Sequence, residues 1–277
     1  MTLRFFGFLT LVLCVAVAAL FQIQTFQTCQ ATDAPPTPHS SPFVKINRLQ
    51  DLNGKLVGTL VGTFLDQVAE KNLDYVTVKY FDDYDQMEIA LLHGEIDALW
   101  GDEPVMRNRA NANPLFRVLE EKVEESFYGF AFRQTDVALR NQIDGILQLF
   151  LKNGEIERLT AKWLDDNEIS THQINVPQAA RGEVLRLGTC KVLPPFTFTN
   201  DKGEPSGMDI EMARMIAARL NRPLEILVME FGELIPALLN NRVDVIGGAI
   251  TITPERQKII SFSTGYFGIG VVALVRK

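Results

Sequence analysis

The sequence predicts an α/β fold of open, mostly parallel sheets with helices on both faces, divided into two related units. Three observations carry this. Short β-branched runs alternate with amphipathic stretches along most of the chain, one helix–turn–strand segment occurs twice in the same register, and 277 residues exceed what one small core needs. Hydrophobic residues make up 47% and charged residues 22%, the balance of a folded chain.

Residues 56–60, 75–80, 96–100 and 116–119 read as strands, each a short β-branched or aromatic run. Between them, residues 85–92 place Met87, Ala90 and Leu91, with Ile89 at the margin, on one helical face. Residues 136–163 read as two helices broken at Asn153-Gly154, a helix-stop signal. From 165 to 183 the periodicity is lost, and Pro177 and Gly182 mark a linker. The alternation then resumes with strand 185–189, helix 209–220, strand 224–229, helix 233–239 and strand 243–246.

The repeat supports two similar units. Ala90-Leu91-Leu92, three residues and Ile96-Asp97-Ala98-Leu99-Trp100-Gly101 match Ala237-Leu238-Leu239, three residues and Val243-Asp244-Val245-Ile246-Gly247-Gly248. The charge is uneven: residues 43–127 carry 9 Lys and Arg against 16 Asp and Glu, whereas residues 133–277 carry 17 of each. Most of these carboxylates suit a solvated acidic face. The net charge of −7 argues against broad nucleic-acid binding, which needs a basic face. Three histidines far apart in sequence (His39, His93, His172) and three cysteines match no metal-ligand spacing, so no metal site is expected.

Residues 1–31 read as a secretory signal peptide: a short basic start through Arg4, an uncharged run over 5–21 and a small residue at Ala31. An uncleaved anchor is the alternative, since 17 apolar residues reach the lower limit for a span. Residues 32–48 form a flexible leader. Removal of the peptide takes two cysteines with it and leaves Cys190 alone, so an extracytoplasmic chain without disulfides is expected.

In open α/β sheets, ligands sit beyond the carboxyl ends of strands near helix N-termini. After strand 243–246 come Gly247-Gly248-Ala249-Ile250-Thr251-Ile252-Thr253-Pro254-Glu255-Arg256. Here the glycines allow close backbone approach, Thr251 offers a hydroxyl, Thr253-Pro254 has N-cap character and Arg256 can pair bidentately with a carboxylate. After strand 96–100, Asp102 stands where it could hold an ammonium group, a plain N-cap being the other reading. After strand 56–60, Gly62-Thr63 again combine glycine and hydroxyl. A carboxylate cradle on one unit facing an acid on the other suits an α-amino acid bound between them.

Residues 181–277 resemble the first lobe of the family 3 extracytoplasmic solute-binding proteins, the amino-acid receptors of ABC importers. The likeness rests on Leu187-Gly188-Thr189, Pro195-Phe196-Thr197-Phe198, Gly207-Met208-Asp209-Ile210, Leu234-Ile235-Pro236-Ala237-Leu238 and, most specifically, Thr251-Ile252-Thr253-Pro254-Glu255-Arg256. Leu52-Asn53-Gly54-Lys55-Leu56-Val57-Gly58 with Gly62-Thr63 is similar to the start of that family's second lobe. Tyr128-Gly129-Phe130-Ala131-Phe132, Gly154 and Lys162-Trp163-Leu164 resemble its return crossover and final helices.

The resemblance implies a two-lobed, type II periplasmic-binding-protein-like fold. Residues 49–127 are then a second-lobe-like ligand-binding lobe, 128–165 the hinge crossover and terminal helices of the first lobe, 166–184 a linker, and 185–277 the first-lobe-like ligand-binding lobe. This order differs from the family's and looks like a circular permutation. The 19 residues from 165 to 183 reach roughly 60 Å when extended, enough to join the old ends. One covalent crossover at 128–133, in place of two, is expected; a tandem fragment or lobes paired between two chains is the rival.

Carried over from the family, Arg256, Thr251 and the Ala249 backbone bind an α-carboxylate, Asp102 binds the α-amino group, Gly62 and Thr63 add polar contacts, and Phe231 is an aromatic wall. A core phenylalanine is the alternative for Phe231. Cys190 stands where many members carry an acid, and Leu193 where many carry a stacking aromatic. With Val61, Phe64 and Trp100 nearby, this implies a neutral amino acid, since an unpaired buried cation is costly.

The expected partners are that amino acid and the membrane permease of an ABC importer. The chain is a monomer or a lobe-swapped dimer, with no cofactor and no catalytic residue. The alternatives are a dehydratase of the same fold acting on a carboxylated ring, with Glu103 or Glu230 as general acid, and an amino-acid-sensing receptor.

Overall fold

The computed structural model describes residues 45–164, 169–179 and 181–277, so the signal peptide and most of the leader lie outside the described residues. The first sheet receives β1 (Leu56–Leu60), β2 (Thr77–Phe81), β3 (Ala98–Asp102), β4 (Phe116–Val118) and β5 (Val123–Tyr128). Between its strands run α1 (Leu65–Asn72), α2 (Tyr84–His93) and α3 (Glu103–Ala112). The chain crosses into a second sheet at β6 (Ala131–Arg133) and continues through α4 (Val137–Lys152) and α5 (Glu155–Leu164). The second sheet then gains β7 (Leu185–Thr189), which leads into a small sheet of β8 (Val192–Leu193), β9 (Thr197–Thr199) and β10 (Pro205–Ser206). There follow α6 (Met208–Arg219), β11 (Leu224–Val228), α7 (Leu234–Leu239), β12 (Val245–Ile246), α8 (Pro254–Gln257), β13 (Ile260–Phe262) and finally β14 (Phe267–Arg276).

Among the described residues the first sheet has six strands in the order β2-β1-β3-β14-β4, with β5 also paired to β14. The second has five, in the order β11-β7-β12-β6-β13. In both, three neighbouring strands run parallel and the crossing strand is antiparallel to them. The sheets are therefore mixed rather than mostly parallel, because the strands that pass between lobes enter each sheet from the opposite end.

The expected single crossover is corrected by β14. It pairs with β3, β4 and β5 of the first sheet, so the last ten strand residues do not stay with the 185–277 lobe and the lobes are joined twice. The reason is burial on both faces. Residues 269–275 are all buried; Val271, Ala273 and Val275 pack into one core cluster while Val272 and Leu274 pack into the other. A strand apolar on both faces belongs in a sheet interior. The two crossing segments are bonded to each other, Ser263 N to Phe130 O and Tyr266 N to Tyr128 O, both at 2.9 Å.

The repeated segment forms the same device twice. Gly94 and Asn241 both take positive φ (75° and 58°) at the helix end. Asp97 N then donates to Leu56 O (2.7 Å) while its carboxylate accepts from Leu56 N (3.0 Å); Asp244 does the same with Arg186 at 2.8 and 3.0 Å. Each aspartate thereby clamps the start of a neighbouring parallel strand, β1 or β7.

The break between α4 and α5 falls at Gly154 (φ 79°), as the Asn153-Gly154 signal predicts. The buried Glu211 of α6 accepts from Lys162 Nζ (2.6 Å) and Trp163 Nε1 (2.8 Å), fastening α5 to the second sheet's lobe. Within the linker, Ile169–Thr171 form a single 3-10 turn.

Candidate functional site

Strand ends of both sheets meet in a cleft. Thr63, Asp102, Leu193, Phe231, Ala249, Thr251 and Arg256, seven of the nine predicted residues, line one cavity, together with Phe64, Leu65 and Tyr84. Gly62 joins them through its backbone: its carbonyl accepts from Arg256 Nη2 at 3.2 Å. Cys190 does not line the cavity. Its side chain is buried behind the wall, and burial pushes the thiol up to about 12, so it is neutral. Trp100 points away from the cleft into the smaller core cluster, because alternate residues of a strand face opposite sides. Val61 is exposed.

Local sequence explains each position. Arg256 sits in α8, whose N-cap Thr253 accepts from Arg256 N at 3.3 Å and whose first turn holds Pro254. The short helix turns the guanidinium back over its own loop, where Nη1 donates to Thr251 O at 2.8 Å. Thr251 bridges to Tyr128, and the loop is pinned by Gly129 N to Ile250 O (3.2 Å) and Ile252 N to Phe127 O (2.9 Å). Phe231 stacks beneath Arg256, its ring centroid 5.7 Å from the guanidinium carbon.

Asp102 ends β3 and precedes α3, yet its side chain makes no cap hydrogen bond. The plain N-cap reading is not the arrangement found. One carboxylate oxygen accepts from Tyr128 Oη at 2.5 Å and the other has no hydrogen-bond partner among the described residues. Burial raises the carboxyl to about 6, against the lowering effects of the Tyr128 hydrogen bond and the Arg256 charge. Burial likewise brings Arg256 down to about 10, with Asp102 and Tyr128 opposing.

Tyr84 and Tyr128 are site residues that the sequence reading missed. Tyr128 lies on the crossing segment, where the sequence reading gives it only a place in the return crossover; the usable signal is a hydroxyl-bearing aromatic at a lobe junction. The cavity measures about 10 Å³, room for about one water molecule. On its rim, a Cβ added to Gly62 would lie 2.7 Å from Gly232 Cα. The lobes are thus closed on each other, and admission of a small molecule requires them to part.

Two lobes joined by two crossing segments, with an acid and a guanidinium buried in the cleft between them, define a type II periplasmic-binding-protein-like fold. Residues 185–277 match the bacterial extracellular solute-binding proteins, family 3. It is 32% identical over 88 residues to the octopine-binding periplasmic protein of Rhizobium meliloti, covering 32% of this chain and 30% of that one. Against the L-cystine-binding protein TcyJ of Escherichia coli (strain K12) it is 34% identical over 97 residues, 35% of this chain and 36% of that protein. The matched stretch therefore spans about a third of these relatives. Among solved structures, the arginine-bound form of domain 1 from TmArgBP is 39% identical, covering 34% of this chain and 80% of that chain, with a TM-score of 0.30.

Proposed function

We propose that the chain binds an α-amino acid between its lobes outside the cytoplasm and presents it to the permease of an ABC importer. The observation that carries this is the meeting of Arg256 from one lobe and Asp102 from the other in one buried cleft. In this reading Arg256, Thr251 and the Ala249 backbone take the α-carboxylate, and the unpartnered oxygen of Asp102 takes the ammonium. Gly62 and Thr63 add polar contacts from the opposite lobe. Octopine and cystine, named for two relatives, are amino-acid derivatives of the same kind.

The side-chain end of the cleft supports a neutral ligand. Its walls are Phe64, Leu65, Tyr84, Leu193 and Phe231, and among the described residues Asp102 is the acid that lines it. The neutral Cys190 thiol behind that wall offers no counter-charge. Some relatives are named as arginine-binding proteins, so L-arginine is the informative competitor.

The chain order is read as a circular permutation with both crossings kept. Residues 46–47 and 277 all attach to one short stretch of the first sheet: Lys277 N donates to Leu115 O at 2.9 Å, and Arg117 Nη2 donates to Ile46 O and to Asn47 Oδ1.

The test is thermal unfolding of the full chain against alanine, serine, leucine, phenylalanine, glutamine and arginine, followed by calorimetric titration. A ligand at about 100 times its dissociation constant adds roughly 2.7 kcal/mol, a shift of several degrees. Shifts with neutral amino acids and none with arginine support the full reading. A shift with arginine alone removes the neutral assignment, and no shift at all removes the amino-acid reading.

A further inference from the structure

The Asp209 carboxylate, in the first turn of α6, is completely buried and carries no ion pair among the described residues. It accepts the Ala249 N–H at 2.7 Å, and the Tyr266 hydroxyl is shared between its two oxygens at 2.7 Å each. Ala249 has φ 52°, a left-handed conformation that an L-residue disfavours, at the centre of the loop between β12 and α8. Tyr266 stands on the second crossing segment. Its own N–H donates to Tyr128 O, and the Tyr128 hydroxyl donates to Asp102. A continuous hydrogen-bonded path thus runs from the Ala249 loop through Asp209 and both crossings to Asp102.

We propose that Asp209 is a positioning residue for the cleft, holding the Ala249 amide in its left-handed turn and, through Tyr266, tying that loop to the crossing segments. This rests on the amino-acid reading above. A buried acid inside a lobe needs partners, and folding alone would be served by any donors. Here the two donors come from the loop that lines the cleft and from the segment that joins the lobes. Asp209 therefore sets the loop before a ligand arrives, which lowers the ordering that binding must supply.

The test titrates the full-length wild type, Asp209→Ala, Tyr266→Phe, and Asp209→Ala combined with Ala249→Gly, each with L-alanine, L-leucine, L-glutamine and L-arginine. Arg256→Ala is the control, and amide exchange at residue 249 is followed in every variant. Losing charge-assisted bonds to the loop should weaken binding about ten- to a hundredfold in Asp209→Ala. Glycine at 249 takes positive φ without steric cost and should recover most of that loss, although it adds nothing to the Asp209 site itself.

An Asp209→Ala variant that melts lower but binds as the wild type does would overturn the proposal, as would failure of glycine to recover affinity. If Asp209→Ala does not fold, Tyr266→Phe should bind several-fold more weakly and exchange the 249 amide faster; no change in either is equally fatal. If the wild type binds none of the four amino acids, the functional reading fails by itself, and the amide exchange in Tyr266→Phe still decides what Asp209 does.

Discussion

Arg256 reaches across the cleft to the backbone of Gly62, its Nη2 donating to the Gly62 carbonyl at 3.2 Å although the two residues are 194 positions apart. The contact joins the lobes at the mouth of the cavity. In the proposed reading it occupies a guanidinium face that a ligand carboxylate would take, so ligand and Gly62 would compete for the same donor.

Arg256→Ala should weaken amino-acid binding by about a hundredfold or more, the usual scale for losing one member of a buried charged pair. Arg256→Lys keeps the charge but loses the fork, and should recover only part of the affinity. Calorimetric titration reads both; equal affinity in wild type and Arg256→Ala would remove the site assignment.

Binding should depend on pH through Asp102. The group titrates near 6, and only its ionised form pairs with an ammonium. Affinity should be flat above about pH 7 and fall by up to about tenfold per unit below 6. Asp102→Asn should bind weakly with no such slope.

Stability should carry the opposite trend in the same window. Asp102 and Asp209 are both raised by burial from 3.8 to about 6, so between these values the folded chain holds more protons than the unfolded one. Their contribution is present below about pH 4 and is lost as pH rises through 6, up to about 3 kcal/mol for each group. Asp244, which its Arg186 contacts hold below 3.8 despite partial burial, acts at lower pH and with reversed sign. Urea denaturation from pH 4 to 7 measures the slope, which Asp102→Asn should reduce by about half.

The two facing glycines should respond unequally. Gly62 has φ 79° and no room for a Cβ, which would meet Gly232 Cα at 2.7 Å. Gly232 has negative or extended φ and its nearest neighbour to a Cβ would be 3.8 Å away. Gly62→Ala should therefore hinder closure and cost about tenfold or more in affinity, while Gly232→Ala should change it little. Titration of both variants decides this.

Much of this was legible in the sequence because it depends on local chemistry. Thr253-Pro254 announces the cap that aims Arg256, Asn153-Gly154 announces the helix break, and the repeated segment announces the paired clamps of Asp97 and Asp244. What was not legible depends on partners distant in the chain. The ten residues of β14 carry an apolar face on each side, but their sheet is chosen by β3 and β5, more than a hundred positions away. Trp100 is expected near the cleft from its place at a strand end and Cys190 from the family resemblance, whereas strand alternation and burial turn them into the interior. Tyr84 enters the cavity only because α2 packs beside the end of β3.

Because Phe130 and Tyr128 are bonded to Ser263 and Tyr266, the two crossings behave as a strap with two stitched edges rather than as independent threads. Such a strap bends easily about the line across its width but resists torsion, since twisting would shear both stitches. The relative motion of the lobes is thereby reduced towards a single degree of freedom. In the proposed binding cycle, opening would then retrace closing, whichever order the segments follow along the chain.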